Sequence, residues 1–333
     1  MAKRRLSGQQ KRRIAQIQQQ RRERLASRAE QALDARQESQ PLSGTVIARH
    51  GQNLVVQDQQ QNLFHCLSRQ NIGDVACGDE VVWEQTGDGE GVVTALLPRK
   101  TLLSRPTFSS EDKPLAANIS QLVIVIAPEP EPSEYLIDQY LVAATRIGVK
   151  AIIALNKADL LDDSQWQAMQ QRLNHYRDIG YDFIRISARQ ADGLKPLLDK
   201  LAGETSILVG QSGVGKSSLT NALIPDLDLQ TNRLSQRSGL GQHTTSASTL
   251  YHLPQGGRLI DSPGVRSFRL GDIDREELEN GFVEFHDYLG HCRFSNCSHS
   301  NEPGCALIAA VEAGKIHPQR LENFRHMAAN LKK

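Results

Sequence analysis

Apolar and polar positions alternate over residues 42–100 in short bursts: SGTVIAR, NLVVQD, NLFHCLS, DEVVWEQ and GVVTALL. Gly and Asn separate the bursts (Gly51, Asn53, Asn62, Gly73, Gly78, Gly87, Gly89, Gly91), as expected between half-buried strands. Five strands with no helix signal between them predict a small closed barrel of the OB-fold type, with an SH3-like barrel as the competing arrangement. Cys66 and Cys77 fall inside this region without a CxxC partner and read as core thiols.

The segment RKTLLSRPTFSSEDKPLAAN reads as a Pro/Ser/Lys-rich connector, the linker proper being 101–118. From 119 the period changes. QLVIVIAP, KAIIALNK, DFIRISA and TSILVG are apolar runs of strand length, and SEYLIDQYLVAATRIG, SQWQAMQQRLNHYRDIG and LKPLLDKLAG between them have helical spacing. Uninterrupted apolar strands alternating with helices predict a parallel sheet covered on both faces, an α/β domain over 119–272. LYHLPQGGRLIDSPGV adds a hairpin, and residues 273–333 turn helical around a Cys/His cluster.

Charge adds a fourth region. Residues 1–38 hold eleven Lys/Arg against four acids, a surplus of seven positive charges in a 333-residue chain of net charge +1. The rest of the chain therefore carries −6. A basic, Gln-rich arm over 1–40, either disordered or helical, suits a polyanion such as nucleic acid. It lacks the apolar core of a secretory signal, and no run has the ~20 apolar residues of a membrane span.

GQSGVGKSS follows the strand SILVG and precedes the helix-forming SSLTNALI, the context a phosphate-binding P-loop requires. Gly210, Gly213 and Gly215 let the backbone of Gln211, Ser212 and Val214 curl with its N–H groups towards phosphate oxygens. Lys216 brings a cation to the β/γ-phosphates, the Ser217 hydroxyl can ligate Mg²⁺, and Ser218 closes the motif. DSPG ends the apolar strand RLI, where Asp261 can hold Mg²⁺ through water and the Gly264 N–H can meet the γ-phosphate. Between the two lies the Gly/Thr-rich GLGQHTTSAST, from which Thr244 or Thr245 must close over Mg²⁺; the spacing does not choose between them.

NKAD (Asn156, Lys157, Ala158, Asp159) ends a buried strand, where open α/β sheets bind ligands. A carboxylate there accepts two hydrogen bonds from guanine N1–H and its exocyclic amine, which adenine does not offer. The strand end ISA supplies the Ser187/Ala188 backbone beside it. All parts of a GTPase are thus present in the order NKAD, SA, P-loop, Thr loop, DSPG, and each keeps its strand-end context. Domain termini lie close together at the surface, so a chain can be rejoined and reopened elsewhere without losing its fold. The order reads as a circular permutation, in which the γ-phosphate loop leads directly to the Cys/His region.

Val265 follows the DSPG glycine, at the position where Ras-like enzymes place the Gln that orients the attacking water. Another group must do that work, or a partner must complete the site. His243, just before the Thr pair, is the nearest candidate, against the alternative of a solvent-facing loop histidine.

CRFSNCSHSNEPGC places Cys292, Cys297, His299 and Cys305 within fourteen residues. Three thiols and an imidazole close a tetrahedral, structural Zn²⁺ site, the alternative being a disulfide with a spare thiol. His286, His291, His317 and His326 lie outside the compact array and read as surface residues. Arg320, Arg325, Lys332 and Lys333 are scattered basic residues, either solvated or facing phosphate.

The order NKAD…ISA…GQSGVGKSS…GQHTT…DSPGV, the preceding barrel and the CxxxxCxHxxxxxC tail resemble the ribosome small-subunit-dependent GTPase A (RsgA/YjeQ) family over residues 42–333. The resemblance implies an N-terminal OB-fold, a central circularly permuted α/β P-loop GTPase domain and a C-terminal α-helical zinc-binding domain. It implies a monomeric cytoplasmic GTPase that binds the 30S subunit and its 16S rRNA late in subunit maturation and is stimulated by them. Guanine recognition then falls to Asn156, Lys157 and Asp159, phosphate and Mg²⁺ to Gly210–Ser218 with Thr245, zinc to the four ligands, and catalysis to His243. Two readings of other classes compete: a GTP-gated RNA-binding scaffold with incidental hydrolysis, and a large-subunit assembly GTPase.

Overall fold

A computed structural model of the chain describes residues 41–69, 72–105, 113–190, 192–227, 248–262 and 273–331. The basic arm, and with it that expectation, lies outside them.

Five strands form the barrel: β1 (Leu42–His50), β2 (Asn53–Gln57), β3 (Leu63–Ser68), β4 (Glu80–Gly87) and β5 (Glu90–Leu96). Their ladder runs β1-β2-β3-β5-β4 and closes through β4 onto β1, with β3 and β5 the one parallel pair. That closed order is an OB-fold, not an SH3-like barrel. Inward positions are filled by Val46, Leu54, Val56, Cys66, Val81, Val93 and the fully buried Trp83. Burial pushes the thiols of Cys66 and Cys77 well above their usual range, as core thiols.

The connector is more ordered than its composition suggests. Within it β6 (Leu102–Arg105) and β7 (Lys113–Ala117) pair as an antiparallel ribbon. The Ala117 N–H donates to the Cys77 carbonyl at 2.8 Å, and the Asn118 amide donates to the Gly78 carbonyl at 2.9 Å, fastening the ribbon to the barrel.

The α/β domain comprises β8 (Gln121–Ile126), α1 (Glu134–Ile147), β9 (Lys150–Leu155), α2 (Asp163–Asp178), β10 (Asp182–Arg185), α3 (Lys195–Leu201), β11 (Thr205–Val209), α4 (Lys216–Leu223), β12 (Thr249–His252) and β13 (Arg258–Asp261). Every residue of β8 is buried: 122–126 as an unbroken apolar run, and Gln121 with its amide donating to the Lys200 carbonyl and the Ser206 hydroxyl. Helix α1 starts where the Ser133 side chain accepts from the Leu136 N–H and stops at Gly148 in the left-handed region. Helix α2 starts with a reciprocal Asp162–Gln165 capping box. The sheet order is β10-β9-β8-β11-β13-β12, parallel except for β12. The P-loop strand β11 therefore sits at the centre, flanked by β8 and β13, although it is fourth of the six strands in the chain.

The outer edge of β12 meets the barrel. Ala48 of β1 pairs with Thr249, His252 Nε2 lies 2.6 Å from Gln57 Oε1, and Arg258 stands 3.7 Å from Glu80.

The C-terminal domain holds α5 (Arg275–Asn280), α6 (Ala306–Glu312) and α7 (Pro318–Ala329) around Phe282, Phe285, Phe324, Leu278 and Leu321. Val142 of α1 belongs to the same core. Beside it Arg320 is 1 % exposed, 2.6 Å from Asp138 of α1 and forked onto Glu284 at 2.6 and 2.9 Å. Asn323 and Tyr176 donate to the same Asp138 carboxylate at 2.7 and 2.6 Å. Arg320 is thus neither solvated nor free for phosphate, and Arg325 also turns inward, donating to the His299 carbonyl at 2.7 Å. His286, His291, His317 and His326 are exposed, as expected; Lys332 and Lys333 lie outside the described residues. Among the described residues, no helix is long and apolar enough to cross a membrane.

Candidate functional site

Strand β11 delivers the chain into the loop at Gly210, whose φ of 138° and position against β8 exclude a side chain. A Cβ there would lie 2.1 Å from the Val125 carbonyl oxygen. Gly215 has φ 97°, and its Cβ would meet the Asn156 amide nitrogen at 2.4 Å. Between them Ser212 and Gly213 are exposed and Val214 is fully buried, so the loop is anchored from below and open above. Lys216 Nζ donates to the Gly210 and Gln211 carbonyls at 2.7 and 2.6 Å, holding its ammonium over the loop. Ser217 and Ser218 are exposed in the first turn of α4, whose N-terminal N–H groups suit phosphate.

The base motif comes from β9. Asn156 is 2 % exposed, and its amide donates to the Val214 carbonyl at 2.9 Å, tying NKAD to the phosphate loop. Its Oδ1, like Gln211 Oε1, is buried without a hydrogen-bond partner. Lys157 takes φ 59° and reaches the Glu129 carbonyl at 2.7 Å. Ser187 and Ala188 sit at the end of β10 beside Ala158, whose N–H donates to the Ile186 carbonyl. The Ser187 hydroxyl also donates to Asp159 Oδ1 at 2.6 Å, which fixes the carboxylate and leaves Oδ2 for a ligand. The ISA motif predicts only a backbone role for Ser187. Arg185 supports the same turn: it donates to the Ala158 carbonyl at 3.2 Å while lying 4.8 Å over the Trp166 ring. An Arg two residues before SA is its signal in the sequence.

Asp261 is exposed at the end of β13, next to the P-loop strand, with Ile207 and Ile260 in register. Ser248 donates to the Ser262 hydroxyl at 2.8 Å, joining the chain entering β12 to the chain leaving β13. His243, Thr244, Thr245 and Gly264, with Val265, lie outside the described residues.

Cys292, Cys297, His299 and Cys305 converge with their ligand atoms within 4.8 Å of one another. His299 Nδ1 faces the sulfurs of Cys305 and Cys292 at 3.3 and 3.5 Å, while Nε2 points to Glu279 at 3.5 Å. A carboxylate on the outer nitrogen fixes the tautomer that a metal-binding imidazole needs, and burial pushes His299 towards its neutral form. The Ala306 N–H donates to Cys292 Sγ at 3.3 Å. Three soft thiols and one oriented imidazole fit a tetrahedral divalent metal.

A family model described as RsgA GTPase matches residues 96–271. The chain belongs to the RsgA GTPase family. It is 46% identical to the small ribosomal subunit biogenesis GTPase RsgA of Ectopseudomonas mendocina, over 99% of this chain and 98% of that one. A Pseudomonas aeruginosa protein of the same name is 46% identical over the same shares. YjeQ from Thermotoga maritima superposes with a TM-score of 0.71 at 31% identity, covering 88% of this chain and all of the other. YloQ, described as a circularly permuted GTPase, gives 0.69 at 28% identity, covering 88% and 95%. As a member of the RsgA GTPase family the chain is a circularly permuted GTP hydrolase, and the strand order is the permutation expected from its motifs.

Proposed function

We propose that this GTPase acts in assembly of the small ribosomal subunit, binding the 30S particle and its 16S rRNA and hydrolysing GTP faster when bound. The observation that carries the nucleotide part is the 2.9 Å bond from Asn156 to Val214, which joins base and phosphate motifs into one site. The assembly role is drawn from relatives of near-equal length named for small-subunit biogenesis.

In this reading Asp159 accepts from guanine N1–H and the exocyclic amine, with Asn156, Lys157 and the Ser187/Ala188 backbone framing the base. The N–H groups of Gly210–Ser218 and the Lys216 ammonium take the phosphates. Mg²⁺ would be held by Ser217 and Thr245, with Asp261 acting through water and Gly264 sensing the γ-phosphate; when bound it would offset phosphate charge. His243 orients the attacking water in place of the missing Gln. The Cys292/Cys297/His299/Cys305 set holds one Zn²⁺ that is structural, because no ligand position is left open. The protein works as a cytoplasmic monomer.

The test is sucrose-gradient co-sedimentation with 30S particles, with GDP and with a non-hydrolysable GTP analogue, alongside turnover with and without 30S. Nucleotide-dependent binding and stimulated turnover are expected. Binding without stimulation would overturn the coupling, and sedimentation with the large subunit would overturn the assignment of the particle. Lys216→Ala should abolish turnover, and His243→Ala should lose stimulated hydrolysis while retaining nucleotide binding.

A further inference from the structure

Helix α1 touches two things that are distant in the chain. One face carries Asp138, 0 % exposed, gripped by Arg320 and Asn323 of the C-terminal domain. Another carries Tyr140, 1 % exposed, whose hydroxyl meets the backbone N–H of Gly210, the first glycine of the phosphate loop. Burial pushes that hydroxyl up to about 12, so it stays protonated.

The segment entering α1 makes a second, independent contact with the nucleotide motifs. A Cβ placed on Gly213 would stand 3.5 Å from Pro130 Cδ, and Lys157 donates to the Glu129 carbonyl. Arg172 of α2 pins this segment through Glu131, Glu134 and the Pro132 carbonyl. The helix and the segment leading into it thus form a stiff bar, clamped at the metal domain through Asp138 and bearing on the loop at Gly210 through Tyr140 and at Gly213 through Pro130. Asp138 and Tyr140 are two positions apart, about 200° around the helix, so rotating or sliding α1 at one contact displaces the other.

We propose that Arg320 is a positioning residue for the phosphate loop: by holding Asp138 it sets the place of α1, and through Tyr140 the place of Gly210. The metal domain is then part of the framework of the nucleotide site, although none of its described residues lines it. By linkage, nucleotide binding tightens the docking of that domain by the same factor. The inference rests on reading 210–218 as the phosphate loop.

The test uses full-length, zinc-loaded protein and a fluorescent GDP analogue, with zinc content measured on every variant. Tyr140→Phe removes one hydrogen bond and should raise the Kd for GDP about 3- to 10-fold. Arg320→Met should raise it in the same direction, and the double variant should fall short of the product of the two factors, because both act through α1. Bound GDP should also slow hydrogen exchange in 318–329 of the wild-type chain. An Arg320→Met protein that keeps one zinc per chain and binds GDP like wild type would overturn the proposal. Should that variant not fold, Asp138→Asn, which keeps hydrogen-bonding capacity at that position, is judged by the same criterion. A purely structural role would lower the melting temperature without moving the Kd. A wild-type chain that binds no GDP, or Lys216→Ala binding it normally, would instead overturn the phosphate-loop reading itself.

Discussion

The Asn156 side chain donates to the Val214 backbone carbonyl at 2.9 Å, and the two residues are 58 positions apart. One amide therefore holds the base motif against the phosphate loop, and Gly215 must lack a side chain so that it can approach. Asn156→Ala should weaken GDP and GTP about 5- to 100-fold, the range for losing a buried hydrogen-bonding group. Gly215→Ala should be worse, because its Cβ would overlap the same amide at φ 97°. Equilibrium nucleotide titration checks both, and normal affinity in Gly215→Ala would refute the close approach.

In the proposed reading, guanine discrimination depends on how Asp159 is aimed. Asp159→Asn replaces an acceptor by a donor, so GTP should lose on the order of 100-fold or more in affinity while a xanthosine nucleotide, with an oxygen where guanine has its amine, gains. Ser187→Ala leaves the carboxylate in place but unfixed. It should cost about 3- to 10-fold with unchanged base preference. Competition binding among GTP, XTP and ATP separates the two outcomes.

Glu279 orients His299 from the side away from the sulfurs. Glu279→Gln keeps the shape and removes the charge, and metal affinity should drop about 10- to 100-fold. Competition with a chromophoric chelator measures this. Removing the metal altogether should melt the C-terminal domain at lower temperature, because three thiols and an imidazole are left packed together.

His175 is stacked on His317 at 4.1 Å with the rings 10° apart, and burial, then the neighbouring His317 charge, lowers its pKa to about 4. The unfolded chain, near 6.5, binds the proton more readily than the folded one. Stability is therefore fully present above pH 6.5 and falls as pH drops towards 4, by up to about 1.4 kcal/mol per pH unit for this group. His175→Phe should flatten denaturation midpoints across that window. An unchanged acid slope would show that the ring does not titrate as its burial demands.

The strands, the helices, the placing of the motifs and the metal cluster were legible because each is written in local pattern. β8 reads as an unbroken apolar run, β12 and β13 as a hairpin around LPQGG, and the four ligands as one compact spacing. The pairing of 102–105 with 113–117 was hidden, since a ribbon rich in Ser, Pro and Lys has no strong alternation and is ordered by its contacts with the barrel. Arg320 was hidden for another reason. Nothing local marks an arginine in an amphipathic helix as buried; its partners, Asp138 and Glu284, are 182 and 36 positions away. Breaking that pair from one side should cost about 3–5 kcal/mol, which no helical pattern encodes. The motifs NKAD and ISA place Asp159 and Ser187 at neighbouring strand ends, but the bond between their side chains needed the fold.

The first strand of the barrel also covers the outermost strand of the nucleotide-binding sheet, at Ala48 and Thr249. A sheet that ends in an uncovered strand offers unpaired N–H and C=O groups to any passing chain. The barrel thus also guards that edge. A fragment cut to begin at 119 would keep every nucleotide motif yet expose this edge, and its characteristic failure would be self-association in the test tube.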